Sequence, residues 1–390
     1  MMTTVTRTDF DFSNEQEAFR AELRQFLHER LPDDWQGIFV EGDEGWQLSL
    51  DICRELGERG WLTMAWPAAY GGQDASIWLQ AILQEEYWAH NEPRGPQYMN
   101  VNWLGPALIQ FGTDEHKAYF LPKLAAGEMM WAQGFSEPGA GSDLAALKCS
   151  AVPDGDGFVV RGHKIWISYG DIADYCFLLC RTDPTSRRKE GLSVLLVDLS
   201  LPGVERRPIS STLGYHRINE LFFDDVFVPR SALLGPQNDG WRVAMTALAF
   251  ERSGSARYAR SARTLGLMEQ RHGDEWDDTR WEQYASLLAF ARATELVNYG
   301  VISKKETGEV PRVEASAARI HNSLLEQALA DFAEQTTGLD FIVYGADDHA
   351  VDNGELESMW RNSFAATVTA GSYEIQSGII AHSLGMEGRR

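Results

Sequence analysis

The chain has 390 residues, a formal net charge of -22 and an isoelectric point near 4.8. A negative charge of this size repels the phosphates of nucleic acids and the anionic heads of lipids, which disfavours a role on nucleic acid or at a membrane surface. The length predicts two or three domains.

The cysteines and the N-terminus bear on the compartment. Cys53, Cys149, Cys176 and Cys180 lie in apolar or strand-like surroundings, without a Cys-x-x-Cys pair or a His at metal-ligand spacing. We therefore expect buried thiols, no metal site and a reducing compartment. Residues 1–11 do not contain the basic segment followed by an apolar segment that a signal peptide has. No run of apolar residues approaches the length of about 18 that a membrane-spanning helix needs. These features predict a soluble, cytoplasmic protein.

Helical periodicity dominates the N-terminal third of the chain. Residues 13–31 begin with the capping-box pair Ser13 and Gln16 and then place apolar residues at helical spacing. Residues 60–72 form an apolar segment that ends in a Gly-Gly turn. Further helices are expected over residues 46–57, 76–90, 104–111 and 113–126.

The pattern changes near residue 129. Residues 147–152 and 158–168 are alternating or β-branched runs, and the Pro-Asp-Gly-Asp-Gly sequence between them predicts a hairpin. Helical periodicity resumes at Gly240. Further strands are expected over residues 175–181, 192–196 and 221–228, and further helices over 241–271, 281–307, 313–337 and 371–384.

A glycine-rich loop follows a short apolar run at residues 131–143. Trp-Ala-Gln-Gly-Phe is typical of a strand, and the loop after it holds Ser136, Glu137, Ser142 and Asp143. Gly and Pro are first of all turn residues, so an ordinary loop is one interpretation. The other is a ligand site, because a loop of small polar residues after a strand presents backbone N–H groups and hydroxyls.

A second informative cluster is Gly-His-Lys-Ile-Trp-Ile-Ser at residues 162–168. A Trp in a strand is usually a core residue, because burial of its large apolar surface is worth several kcal/mol.

Three motifs together resemble the acyl-CoA dehydrogenase family. They are Glu-Pro-Gly-Ala-Gly-Ser-Asp at residues 137–143, the cluster at 162–168, and Gly-Trp, Trp-Pro and Tyr-Gly-Gly within 60–72. Members of this family are flavoenzymes that oxidise acyl-CoA thioesters to enoyl-CoA. The resemblance implies FAD as cofactor, acyl-CoA as substrate and an electron-transferring flavoprotein as electron acceptor. A CoA anion on so acidic a chain needs a local basic site.

The order of helical, β and helical segments also matches this family. The resemblance implies an α+β multi-domain fold, with an N-terminal helical domain, a middle antiparallel β-barrel-like domain and a C-terminal four-helix bundle. The expected domain bounds are residues 1–128, 129–236 and 237–390.

The resemblance also implies the cofactor contacts. Phe135 and Ser136 are expected along the pyrimidine side of the flavin, Trp166 beside the ring, and the Ser168 hydroxyl near its N5 edge, where a donor stabilises the reduced, anionic flavin. Ser142 is expected near the pyrophosphates and the substrate. The matching positions add Gly141, Gln335, Gly338, Ser372 and Glu374 to the flavin contacts.

The catalytic base is the main open question. Oxidation at Cα–Cβ requires removal of a weakly acidic α-proton, hence a desolvated carboxylate and hydrogen bonds to the thioester oxygen. Many family members supply the carboxylate near the C-terminus, in Tyr-Glu-Gly-Thr, but the matching residue here is Ala370. Its backbone N–H, together with Gly371, is still expected to contact the substrate.

Other family members place the base on the helix after the β-domain, in an apolar run that ends Glu-Arg. The equivalent residues are Glu251 and Arg252, and we predict Glu251 as the base and Arg252 as a substrate contact. A Glu-Arg pair on a helix is otherwise a solvated face or a structural ion pair. Glu374 is a rival base.

Some family positions differ in this chain. The family's Arg-x-x-Phe-Gly has no counterpart in residues 270–276, Leu339 replaces the second Gly after Gln335, and Ser377 replaces an Arg. In the family such departures accompany hetero-oligomers, some acting on CoA-linked steroid fragments. The chain is therefore expected to form a homo-oligomer or a hetero-oligomer with a related subunit. A catalytically silent subunit and a flavin oxidase or monooxygenase on the same fold remain alternatives.

Overall fold

The computed structural model describes residues 12–33, 35, 37, 43–93, 99–213, 217–252, 256–343 and 350–386. The N-terminal part is helical, as expected. The Ser13 hydroxyl accepts a hydrogen bond from the Gln16 backbone N–H, and the Gln16 side chain accepts one from the Ser13 N–H, which confirms the capping box. A π-helical turn at Asn100–Leu104 leads into the helix α4 (Gly105–Phe111). The helices are α1 (Asn14–Arg30), α2 (Asp43–Glu58), α3 (Ile77–Ala89), α4 (Gly105–Phe111) and α5 (Asp114–Ala125).

The middle part is a β-sheet. The expected hairpin is present as β2 and β3, whose register pairs Val152 with Val159. Two strands, β6 and β8, were not expected from the sequence, because they are short and β6 is largely polar and exposed. The strands are β1 (Trp131–Gly134), β2 (Ser150–Asp154), β3 (Gly157–Ser168), β4 (Tyr175–Arg181), β5 (Leu192–Asp198), β6 (Val204–Pro208), β7 (Ile218–Pro229) and β8 (Leu233–Leu234).

The sheet runs in the order β6-β7-β3-β2-β4-β5-β8, and β1 pairs with β4. Most neighbours are antiparallel, but β1 runs parallel to β4, and β2 meets β4 in parallel at Ser150 and Arg181. Among the described residues no pairing joins β6 to β8, so the sheet is not a closed barrel. The β1–β4 pairing places the start of the glycine-rich loop at the centre of the sheet.

The C-terminal part is a helical bundle around the long helix α9 (Arg312–Thr337). This helix packs on α6, α7, α8, α10 and α11. The single helix expected over residues 241–271 is wrong, because α6 ends at Arg252 and α7 begins at Arg257; residues 253–255 lie outside the described residues. The helices are α6 (Gly240–Arg252), α7 (Arg257–His272), α8 (Asp278–Glu306), α9 (Arg312–Thr337), α10 (Glu355–Ala366) and α11 (Tyr373–Ser383).

One large apolar core joins the sheet to α4, α5 and α6. It includes Trp103, Trp131, Phe177 and Val243, each buried almost completely. Strand β1 and helix α6 are therefore held against the same core. All four cysteines are buried and free, as predicted. In the part of the chain that the structure describes, no helix is both long and apolar enough to cross a membrane.

Candidate active site

A buried ion pair shapes the glycine-rich loop. The Lys164 ammonium, 0% exposed, donates to Glu137 Oε1 at 2.9 Å and to the Phe135 carbonyl at 2.9 Å. The Glu137 carboxylate also accepts hydrogen bonds from the backbone N–H groups of Lys148 and Cys149, at 2.7 and 2.8 Å. Burial alone would raise the pKa of Glu137, but the Lys164 charge and these N–H donors outweigh it and lower the pKa. Glu137 therefore fixes the loop.

Trp166 is an exposed aromatic plane in a strained position. Its side chain is 62% exposed and its φ is +63°, a left-handed conformation that bulky residues seldom adopt. The register of β3 against β7 is irregular between Lys164 and Ile167, and irregularities of this kind re-aim the side chains beside them. The Ile165 N–H donates to the Ser136 carbonyl at 3.0 Å, which joins this part of β3 to the glycine-rich loop. The structure thus brings together two segments predicted to bind flavin.

These segments fit a flavin. The exposed indole of Trp166 offers a plane for a flat ring, and Phe135 lies buried behind the loop. Gly141 and Ser142 are exposed, and a Cβ built on Gly139 or Gly141 meets nothing within 4 Å. The loop can therefore admit phosphate groups close to its backbone. Ser168, half-buried, ends the same strand as Trp166.

Glu251 lies on the face of α6 that packs into the core. Ala247 and Val243, one and two turns earlier on that face, are fully buried, and Glu251 is half-buried. Its carboxylate Oε2 accepts a hydrogen bond from Gln133 Nε2 of β1 at 3.2 Å. Glu251 is therefore not on a solvated helix face. Arg252 ends α6, and its side chain lies outside the described part of the chain.

The turn that holds Ala370 has an unusual backbone. Ala370 has φ +53° and Gly371 has φ +93°. Gln376 Nε2 donates to the Ala370 carbonyl at 2.9 Å, and the buried Arg319 guanidinium donates to the Thr369 carbonyl at 2.6 Å. A left-handed alanine costs about 1–2 kcal/mol, and these side chains hold it in place.

Glu374 has the properties of a surface carboxylate. It is exposed, in the first turn of α11, whose N-cap is Ser372. The Ser372 hydroxyl and then its own backbone N–H lower the pKa of Glu374. A solvated carboxylate with a lowered pKa is a poor base for a weakly acidic C–H bond, which counts against the rival assignment.

Gln335 and Gly338 lie in the helical bundle, at the C-terminal end of α9. Gln335 is exposed, and Arg280 donates to its side chain at 3.3 Å and to its carbonyl at 2.9 Å. Gly338 has φ +64° and caps the helix. The structure therefore places Gln335 beside the first turn of α8, within the helical bundle.

A basic loop between β4 and β5 was missed in the sequence. Arg187, Arg188 and Lys189 are exposed, and Arg188 contacts Asp143 of the glycine-rich loop at 3.3 Å. The Arg181 guanidinium organises the loop through hydrogen bonds to the carbonyls of Arg188 and Glu190, at 2.8 and 2.9 Å. A protein of net charge -22 thus presents a cationic patch beside its candidate ligand loop.

Comparison with known proteins places this geometry in a family. The models for the N-terminal, middle and C-terminal domains of acyl-CoA dehydrogenases match residues 13–128, 132–226 and 238–385. The chain belongs to the acyl-CoA dehydrogenase family. It is thus an enzyme of a flavin-dependent class, and the predicted order of a helical, a β and a helical part is confirmed.

Similar proteins include two named acyl-CoA dehydrogenase IpdE1. The one from Mycolicibacterium smegmatis is 33% identical, and the one from Mycobacterium tuberculosis 34%, each over 94% of this chain and 96% of the relative. The solved structure "Tcur3481-Tcur3483 steroid ACAD" is 30% identical, with a TM-score of 0.90 over 98% of this chain and 100% of the other. The ChsE4-ChsE5 complex from Mycobacterium tuberculosis is 29% identical, with a TM-score of 0.85 over the same shares.

Proposed function

We propose that this dehydrogenase oxidises an acyl-CoA thioester to the trans-2-enoyl-CoA, with Glu251 as the base that removes the α-proton. The observation that supports this most directly is the placement of Glu251, a half-buried carboxylate on the core face of α6 and hydrogen-bonded to β1. Partial desolvation makes a carboxylate a stronger base towards carbon acids. Ala370 at the usual position of the base leaves Glu251 to act in its place.

FAD, when bound, supplies the acceptor for the β-hydride. Trp166 and Ser168 of β3, with Phe135, Ser136 and Ser142 of the glycine-rich loop, are the residues we assign to holding it. The remaining matching positions, Gly141, Gln335, Gly338, Ser372 and Glu374, stay predicted contacts. The Ala370 N–H, presented by its left-handed turn, is proposed to donate to the thioester oxygen, beside Gly371 and Arg252.

The first test is reduction of the bound flavin by thioesters without oxygen. Butyryl-CoA, isovaleryl-CoA, octanoyl-CoA and the CoA thioester of a steroid side-chain acid are each added to the purified protein. We expect at least one to bleach the flavin absorbance and the matching free acids to leave it unchanged, since only a thioester acidifies the α-carbon. If none bleaches it, the proposal is wrong. Rapid reoxidation by air with formation of hydrogen peroxide would indicate an oxidase instead.

The basic loop is proposed to bind the phosphates of CoA. Changing Arg187 and Lys189 together to Glu is expected to raise KM for the reactive thioester roughly 5- to 20-fold with little change in kcat, because exposed ionic contacts are individually weak. The effect should shrink at high salt. Arg54→Glu on α2 is the matched control, since Arg54 is an exposed cation paired with Asp51. An unchanged KM, or a fall in kcat alone, would contradict this role.

A related subunit is the proposed partner. Similar structures carry the names of two chains, and the helical bundle exposes apolar side chains that association would cover, among them Leu339 at 85% and Leu384 at 70% exposure.

An electron-transferring flavoprotein is proposed to reoxidise the flavin. A steroid thioester is the proposed substrate class on the strength of the similar "steroid ACAD".

A further inference from the structure

Gln133 is a polar residue on an otherwise apolar side of β1. The alternation of side chains along a strand places Gln133 on the same side as Trp131, which is 0% exposed. An amide in such surroundings costs free energy unless it is hydrogen-bonded. Its Nε2 donates a hydrogen bond to Oε2 of Glu251, 118 residues later in the chain, at 3.2 Å. Gln133 is therefore hydrogen-bonded to the proposed base.

Gln133 lies on a strand whose position is closely fixed. Strand β1 is paired with β4 along its length, and a Cβ on Gly134 would stand 2.5 Å from Cys176 Sγ, so the strand has little room to shift. Glu251 lies in the last turn of α6. A hydrogen bond from so fixed a strand restricts the directions in which the Glu251 side chain can point.

We propose that Gln133 is a positioning residue that orients the Glu251 carboxylate for proton removal. This inference rests on the proposed function. Gln133 does not exchange a proton itself. Its amide N–H donates a hydrogen bond to the ionised Glu251 carboxylate and so favours one rotamer of that side chain before the proton is transferred. Proton transfer depends steeply on geometry, so loss of this donor slows the step without emptying the flavin or substrate sites.

The test isolates proton removal from oxidation. The probe is the 3-thia analogue of whichever thioester bleaches the flavin, 3-thiaoctanoyl-CoA if that is octanoyl-CoA. In such an analogue a sulfur replaces the β-carbon, so the compound can lose an α-proton to Glu251 but has no β-hydrogen to transfer. Exchange of its α-hydrogens with solvent deuterium is followed by mass spectrometry, with flavin content and Tm measured on the same samples. We expect Gln133→Met to slow the exchange roughly 10- to 100-fold at saturation, with flavin content, Tm and the concentration at half-saturation unchanged.

Gln25→Met is the matched control. Gln25 makes a Gln–Glu hydrogen bond of the same kind, to Glu29 at 2.8 Å on the exposed face of α1, and its loss should leave exchange unchanged. An unaltered exchange rate in Gln133→Met overturns the inference, as does a loss of flavin or a lowered Tm, which would make the role structural.

A double-mutant cycle decides whether Gln133 acts through Glu251. Glu251→Asp shortens the carboxylate beyond reach of the amide, so adding Gln133→Met should cost much less than it does in the unaltered chain. An equal loss in both backgrounds overturns the inference. The failure of the proposed function looks different: Glu251→Gln would then keep its exchange, or the unaltered chain would show none.

Discussion

Replacing Glu251 with glutamine is expected to leave the protein folded and yellow but to slow flavin bleaching by the reactive thioester about 100- to 10,000-fold, the usual worth of a general base. Glutamine keeps the length and shape of the side chain, and its carbonyl oxygen still accepts a hydrogen bond from Gln133 Nε2. What it loses is the ability to take a proton. Stopped-flow absorbance without oxygen measures the bleaching, and the flavin-to-protein ratio shows that the site is intact.

Glu374→Gln is the comparison that separates the two candidate bases. Glu374 is exposed and its hydroxyl donor, Ser372, lowers its pKa, so its replacement should leave bleaching within a few-fold of the unaltered chain. If Glu374→Gln instead abolishes flavin bleaching and Glu251→Gln retains it, Glu374 of α11 is the base. If Glu251→Gln is fully active only when a related subunit is present, the chain is instead a silent subunit of a larger enzyme.

Local patterns were enough to predict the elements that have local causes. Ser13 and Gln16 satisfy each other's backbone groups whatever the rest of the chain does, so the start of α1 was predictable. The β2–β3 hairpin follows in the same way from its Gly-rich turn. The break between α6 and α7 was not predicted, because apolar periodicity continues past Ser-Gly-Ser at 253–255.

The site was predictable only where its residues form a motif. Trp166 and the glycine-rich loop were found by resemblance, and their contact through Ile165 and Ser136 agrees with a shared role. Gln133 gave no signal, because one Gln in an apolar run is compatible with any strand and its partner is 118 residues away. The basic loop was missed because cations in a turn are ordinarily solvated; only the sheet brings Arg188 to Asp143.

Lys164→Met is expected to lower the free energy of unfolding by about 3–5 kcal/mol, the cost of leaving a buried charge without its partner. Met keeps the apolar stem of the side chain, so little packing is lost. The Glu137 carboxylate, however, would keep only the N–H donors of Lys148 and Cys149. Urea unfolding measures the loss. The exposed pair of Arg207 and Glu205 is the matched control, and Arg207→Met should cost far less stability than Lys164→Met.

The same pair predicts how stability depends on pH. Because the pKa of Glu137 is lowered in the folded protein, its contribution is complete above its ordinary value of 4.5 and is lost as the pH falls towards the lowered value. The unaltered chain should therefore lose stability more steeply below that pH than Glu137→Gln/Lys164→Met, in which both charges are gone. That double variant should also be more stable than Lys164→Met alone, because it leaves no buried charge unpaired. Equal stability of the two variants would mean that the loop does not depend on this ion pair. In that case Phe135 and Ser136 would need another anchor beneath the proposed flavin site.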